Sequence, residues 1–575
     1  MSKTGAQLVC YALEQLGIEH TFATVGTKNA VIYDQLSQSK TVSTHIVKHD
    51  MSAAFMADAV SRAHPDQVGT MLIASDTGVT QAISGIAQAL LAGSPLLIIA
   101  GAPALDLEAA IDHQAVLAPL TKAAFKINEH QRLIETLFEA YNRAISAPQG
   151  PVFVEISLDL QRTVSAIKEP LPLYGAPTYK DLTTKNISLI GAAIEQLLKA
   201  KNPGIFVGWG AVDAQAELIA LAEAIAAPVT TTMQGLSSFP NQHPLHAGMI
   251  FGPGALPSAQ NAFADCDCVL AIGTSFNDMS IASDSIIWPE KLIHIDYDAI
   301  TVNTEFANNI ALCGNVKVLI TALLLQLQAQ QPNARLNSSL INSIASDKAA
   351  LKDDWYAHNS RGQVNPAVFF DYLSEALDDD AILVAEAGQD SFLAAELMAI
   401  NSPRGFISAT NLNTLGYCVP AVNAAKLVNP NRQVVGIVGE AAMTVTGMEA
   451  LLAVREKLGT VYCIFNDGSY SAAKNHPMAT GNSRNRNYGD VNWGAFADAI
   501  DCAYIRIEHN NEIETALRRT LETAAQGQPI FVDVHIDYSR TSHYGEETPR
   551  ANVSGLSKRD KIASLSRGIM RKFTG

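Results

Sequence analysis

Two runs decide the fold: Val434-Val435-Gly436-Ile437-Val438-Gly439-Glu440-Ala441-Ala442, and then Val461-Tyr462-Cys463-Ile464-Phe465-Asn466-Asp467. Each is a short apolar, β-branched run that ends on a carboxylate, as a fully buried strand does when it reaches the edge of its sheet. The residues between them keep a helical period through Glu449 and Arg455. Strand, helix and strand in that order form a parallel βαβ unit, whose strand ends share one edge of the sheet. Glu440 and Asp467 are therefore expected side by side. Gly439, Ala441 and Ala442 leave room for a phosphate group at the helix N-terminus that follows, where free N–H groups point outward. Oxygen ligands beside such a group suit magnesium or calcium.

The same alternation runs outward in both directions. Residues 69–74, 96–100 and 151–156 read as buried strands, with helical patterns at 51–62 and 80–92. Pro170, Pro172, Gly175 and Pro177 then mark a linker. A second block carries strands at 204–207, 229–232, 269–272 and 292–296, and a polar connector covers about 328–363. A third block begins at Asn365-Pro366 and closes on a strand at 529–534. The reading is α/β, with three doubly wound, parallel-sheet domains at 1–165, 185–330 and 364–540. A basic tail or lid at 541–575 holds, from Arg550 onward, seven basic residues against Asp560. Open sheets of this kind bind ligands beyond the carboxyl ends of their strands, so the strand-to-helix turns are the places to search.

Composition narrows the function. In 575 residues, 40 basic side chains face 56 acidic ones, which argues against a nucleic-acid surface. The longest apolar stretch, 83–105, is interrupted by Gln88, Pro95 and Pro103 and reads as a buried helix and strand instead of a membrane span. Seven scattered cysteines suit a reducing, cytoplasmic setting and lack zinc-site spacing.

Several segments together resemble the thiamine-diphosphate enzymes of the acetolactate synthase group. They are the turn at Gly439-Glu440-Ala441 with Asn466-Asp467-Gly468, Lys48-His49-Asp50-Met51-Ser52-Ala53, Pro228-Val229-Thr230-Thr231-Thr232 and Thr414-Leu415-Gly416-Tyr417. The resemblance spans almost the whole chain and implies pyrimidine-binding, central and diphosphate-binding domains in that order. It implies metal ligation, by Mg2+, at Glu440, Asp467 and the carbonyl of Ser469. Contacts to the cofactor would come from Gly388, Gln389, Asn413, Gly439, Ala441, Ala442 and Tyr470. Leu415 would bend the cofactor, and Asp50 would bond N1′ of its aminopyrimidine. His113 and His476 are expected near the reacting atoms, with Lys28 and Lys474. The implied assembly is a homodimer or homotetramer acting on a small carbonyl substrate.

This sequence departs from the family at the site itself. Asp50 stands for a glutamate, drawing the carboxylate back by about 1.5 Å. Glu440 stands for aspartate, Asp467 for asparagine and Ala109 for glutamine. The arginine and tryptophan that handle a second 2-oxoacid fall on Ser275 and His476, and serine cannot replace a bidentate guanidinium. The expectation is a carboligase or lyase acting on a 2-oxoacid or related carbonyl compound with an altered acceptor pocket. The alternatives are a 2-oxoacid decarboxylase, or a cofactor-binding relative with little activity. FAD, which some relatives hold in the central domain, stays open because Trp209 interrupts the turn Gly208-Trp209-Gly210.

Overall fold

A computed structural model describes residues 2–104, 111–166, 170–176, 184–252, 254–276, 289–298, 309–330, 337–467 and 491–545. Three six-stranded sheets, all parallel, divide the chain as the apolar runs imply. The first runs Ser43–Ile46, His20–Ala23, Gly69–Ile73, Leu96–Ala102, Pro151–Ser157 and Ala123–Ile127 across its width. The third runs Phe406–Ser408, Ile382–Ala385, Val434–Gly439, Val461–Asn466, Ile530–His535 and Ala503–Ile507. Counted in chain order, both read 2-1-3-4-6-5. The N-terminal and C-terminal domains are thus two copies of one topology, and in each the order reverses between the first and third strands.

The central sheet is wound differently. Its order is His246–Met249, Val229–Thr231, Pro203–Val207, Cys268–Ile272, Lys291–Asp296 and Asn309–Cys313. In chain order this is 3-2-1-4-5-6, the winding of dinucleotide-binding sheets. At its switch point backbone packs on backbone. A Cβ on Gly208 would lie 2.2 Å from the carbonyl oxygen of Gly273. Short strands such as His20–Ala23, Phe406–Ser408 and Ala503–Ile507 escape a sequence reading because they are brief or weakly apolar. The connector contains a long helix, Ser338–Tyr356. Among the described residues no helix is long and apolar enough to cross a membrane. All seven cysteines are free.

The N-terminal and C-terminal domains share one continuous core. At its centre helix α1 (Asp50–Ala63) packs on helix α2 (Cys418–Val428), which follows the second strand of its own sheet just as α1 does. Ala421, Ala424 and Ala425 of α2 and Ala53, Ala54 and Ala57 of α1 are all fully buried. Small side chains let the two backbones approach closely. Phe55 meets Tyr417 edge-on at 5.3 Å, and the Tyr417 hydroxyl donates to Asp58 at 2.6 Å.

Arg62, near the end of α1, joins all three domains. It donates to the Ser408 carbonyl at 2.6 Å and to Gln234 at 2.8 Å, and it lies 3.8 Å from Asp58. Its guanidinium also sits 5.0 Å from the Trp209 ring, with Arg404 at 5.6 Å from the same ring. Arg404 in turn grips Asp213 through two bonds of 2.8 Å. The indole that interrupts the glycine turn is thus sandwiched by arginines from the two outer domains.

Removing Arg62 leaves the Asp58 carboxylate buried without its cation. Arg62→Met should destabilise the protein by about 3 kcal/mol. Adding Asp58→Asn should recover about 1 kcal/mol of that loss, because the uncompensated charge is gone. Urea unfolding of the single and double variants checks both values, and equal stability of the two would show that the ion pair contributes nothing.

Candidate active site

Two half-sites emerge, one at the reversal point of each outer sheet. In the C-terminal half, the strand Ile382–Ala385 runs into Glu386 and then Gly388, whose φ is +96°. Helix α3 (Gln389–Leu397) starts there with no side chain capping its first turn. The Gln389 amide nitrogen is buried without a hydrogen-bond partner. An uncapped helix N-terminus beside an unmet buried donor suits an anionic group such as a diphosphate.

Leu415 stands close by. Asn413 at φ +61° and Gly416 at φ +89° take left-handed turns on either side of it, a conformation that asparagine and glycine tolerate best. The result is a leucine 39% exposed, proud of the surface where a bent ligand would need a wedge. The turn is held from below by Glu386, a residue absent from the sequence expectation. Its carboxylate accepts from the Gly416 and Cys418 amides, both at 3.0 Å, and so caps the N-terminus of α2. The available signal was an acidic residue directly after a buried strand and before a glycine.

Glu440 opens helix α4 (Glu440–Thr446), and Asp467 follows Val461–Asn466 on the neighbouring strand. Gly439 pairs with Phe465, so the two carboxylates do fall at adjacent strand ends. Glu440 also accepts from the Trp493 indole at 3.1 Å. The expected third ligand, Ser469, lies outside the described residues, as do Tyr470, Lys474, His476 and Ala109. Among the described residues no cluster of three or more His, Cys, Asp or Glu side chains is arranged to hold a metal. Gly439 serves a neighbour first, since a Cβ there would lie 2.6 Å from an Asp390 oxygen. Asp390 accepts from the Tyr538 hydroxyl. Burial pushes both Asp390 and Glu386 up to about 7, and further carboxylates, Asp467 beside Asp390 and Asp390 beside Glu386, add to the rise. This edge of the sheet is crowded with acid groups and is a natural seat for a divalent cation. The donor set and the cradle fit thiamine diphosphate with its metal.

The N-terminal half-site is built around Asp50. His49, not Asp50, caps α1, its Nδ1 accepting from the Met51 amide at 3.1 Å. The Asp50 carboxylate turns instead to the sheet edge, where the Thr24 hydroxyl donates to it. A Cβ on Gly78 would come within 2.8 Å of its oxygen. Burial raises the Asp50 pKa above the ordinary carboxylate range.

His113 and Lys28 meet at the same reversal point through Asp76. Lys28 pairs with Asp76 at 2.7 Å, and Asp76 itself has φ +55°. His113 is fully buried, with Nδ1 3.0 Å from Glu155, while Nε2 accepts from the Asp76 amide at 3.0 Å and lies 3.2 Å from the Asp76 carboxylate. These bonds, chiefly the one to Glu155, raise the His113 pKa, while Lys28 holds Asp76 down to about 2. His113 therefore reaches the edge of the site through Asp76 and Lys28.

The two halves stand on different domains, and the start of α1 touches the C-terminal domain, where the Lys48 amide donates to Glu449 at 3.1 Å. Tyr417 packs on Phe55 and Asp58, the latter two turns and about 12 Å along α1 from Asp50. Asp50 points to Thr24 and Gly78, while Leu415 and Gln389 stand on the other domain. Ser275, where a substrate-binding arginine was expected to be missing, is exposed just beyond the strand Cys268–Ile272.

Comparison with known proteins agrees with this layout. Residues 3–124 match the model for the thiamine pyrophosphate enzyme N-terminal TPP binding domain. Residues 190–323 match the central domain of that family, and 386–534 its C-terminal TPP binding domain. The chain belongs to the thiamine pyrophosphate enzymes, which make or break carbon–carbon bonds. Among its relatives is the acetolactate synthase large subunit of Corynebacterium glutamicum, 27% identical over 92% of this chain and 86% of that protein. Acetolactate synthase isozyme 3 large subunit of Escherichia coli is 26% identical over 93% of this chain and 95% of its own length. A probable acetolactate synthase large subunit of Methanocaldococcus jannaschii is 28% identical over 93% and 92%. The enzyme is of the acetolactate synthase type.

The charge on His113 links this site to pH. A histidine with a raised folded pKa stabilises the fold fully below its ordinary value of about 6.5. That contribution is lost as pH rises through the raised value. In Glu155→Gln the main support for the imidazolium is gone, so His113 should titrate at lower pH and the loss of stability should begin earlier. Histidine C2–H NMR through pH 5–9 follows this directly; a titration curve that does not move would refute the role given to Glu155.

Proposed function

We propose that the protein is a thiamine-diphosphate-dependent, Mg2+-requiring carboligase or lyase acting on a 2-oxoacid or related carbonyl compound, with its site completed by a second copy of the chain. The observation that carries this reading is the division of the site. Asp50 lies buried on one domain, and the Gly388–Gln389 cradle and the Leu415 wedge face outward on another. Exposed apolar residues surround each half: Val25 and Ile46 near Asp50, and Leu412, Val445 and Met448 near Leu415. A homodimer, or a homotetramer built from it, covers both sets at once and excludes water from the site. A cytoplasmic location accords with the free cysteines.

When bound, the cofactor supplies a thiazolium carbon that adds to a carbonyl and stabilises the carbanion left by cleavage. The chain's own residues do the rest. Glu440 and Asp467 hold the metal, with Gly388 and Gln389 on the diphosphate. Leu415 and the Asn413 turn shape the bend. Asp50, kept protonatable by burial, exchanges a proton at the aminopyrimidine nitrogen. Lys28, fixed by Asp76, presents a cation toward a substrate carboxylate in place of the missing arginine.

A second reading, simple 2-oxoacid decarboxylation, is favoured by one feature. The Glu155–His113–Asp76–Lys28 chain is a ready proton store beside Asp50. Incubation with pyruvate, thiamine diphosphate and Mg2+ separates the two. A hydroxyketone longer than the substrate supports carboligation and acetaldehyde supports decarboxylation. No turnover of any of a panel of 2-oxoacids would sink both.

Two variants test the divided site together. Asp467→Ala should abolish Mg2+-dependent cofactor binding in calorimetry. Asp50→Asn should retain it and lose about 100-fold in kcat with little change in KM. Mixing the two inactive variants under subunit exchange should restore activity, because a mixed dimer holds one site with neither lesion. If each site lay within one chain, the mixture would stay inactive.

A further inference from the structure

Away from both half-sites, a cleft of about 200 Å3 opens between the central and C-terminal domains. Its walls are the edge strand His246–Met249, the connector helix Ser338–Tyr356, and the two C-terminal-domain helices Pro366–Ala376 and α3. Lys348, His246 and Asn241 form its polar side, and Met249, Leu351 and Met398 its apolar side.

Two lysines and two carboxylates line this cleft, but Lys348 is paired with neither acid. Lys352 is paired with Asp371 at 2.9 Å. Glu396 accepts from the Trp355 indole at 2.8 Å and from the His543 amide at 2.7 Å. Lys348 has only neutral partners, the Asn241 carbonyl at 3.0 Å and the His246 Nδ1 at 3.1 Å. An ammonium has three protons, and these acceptors take two.

The neighbours are short of partners as well. His246 accepts at Nδ1 and so carries its proton on Nε2, and that nitrogen is buried without a hydrogen bond. Asn241 Oδ1 is buried and unpartnered too. Burial lowers Lys348 to about 8 and holds His246 well below its ordinary range, hence neutral. A half-buried cation without a counter-ion is costly, and nothing at either half-site uses it.

We propose that this cleft is a binding site for a small aliphatic carboxylate, with the carboxylate on Lys348 and the hydrocarbon against Met249, Leu351 and Met398. The ion pair supplies the missing counter-charge, and the apolar wall selects a short branched or linear tail over a mineral anion. Helix α3 connects the cleft to the catalytic edge. It begins at the Gly388–Gln389 cradle and ends with Ala395–Leu397 in the cleft wall, roughly 13 Å away.

Isobutyrate is a suitable probe, titrated into the full-length protein at pH 7 by calorimetry and ligand-observed NMR. Saturable binding of one molecule per chain is expected, with isobutanol and sulfate binding at least about tenfold more weakly. Lys348→Met should lose the isobutyrate signal, and Leu351→Trp, which fills the apolar end and keeps the lysine, should lose it as well. If Lys348→Met fails to fold, Leu351→Trp decides the matter. Binding should persist in Asp467→Ala, which keeps this site separate from the cofactor reading. Unsaturable binding, equal binding of isobutanol, or unchanged affinity in a folded Lys348→Met or Leu351→Trp variant would overturn the proposal.

Discussion

Arg62 is the point on which the three domains turn. It is 3% exposed, yet it bonds a backbone carbonyl of the C-terminal domain, an amide side chain of the central domain and an acid of its own helix. A buried guanidinium is tolerated only when its donors are met, and here each domain meets some of them. With Trp209 between Arg62 and Arg404, the junction fixes how the outer domains sit against each other.

The consequence for chemistry is geometric. Two domains of one topology, packed through their equivalent helices, carry Asp50 on one and Leu415 on the other. Electrostatics supports the same division of labour. The C-terminal edge gathers Glu386, Asp390, Glu440 and Asp467, and two of these are pushed up to about 7. That edge calls for a cation. The N-terminal edge pairs its acids with Lys28 and His113.

The departures from the family pattern also find physical settings. A shorter Asp50 is accompanied by a close Gly78 and a Thr24 hydroxyl, so the carboxylate is held in place by its neighbours. The same turn carries Asp76, whose left-handed backbone presents its carboxylate to Lys28 and His113 together.

Local pattern determined much of this protein. Apolar runs ending in Glu440 and Asp467 mark parallel strands and the edge they share, because period and strand-end chemistry are properties of neighbouring residues. The positive-φ turn around Leu415, with Asn413 at +61° and Gly416 at +89°, appeared only in the structure. What only the tertiary structure decided involves partners far apart in sequence. Asp76 and Glu155 around His113, Glu386 beneath Gly416, and Arg62 against Trp209 and Ser408 are joined by no local period. The short strands His20–Ala23 and Phe406–Ser408 are likewise set by their neighbours in the sheet, not by their own composition. Burial and pKa belong with these, since the dielectric around Asp50 or Lys348 comes from every element packed on it, and a linear sequence does not contain that sum.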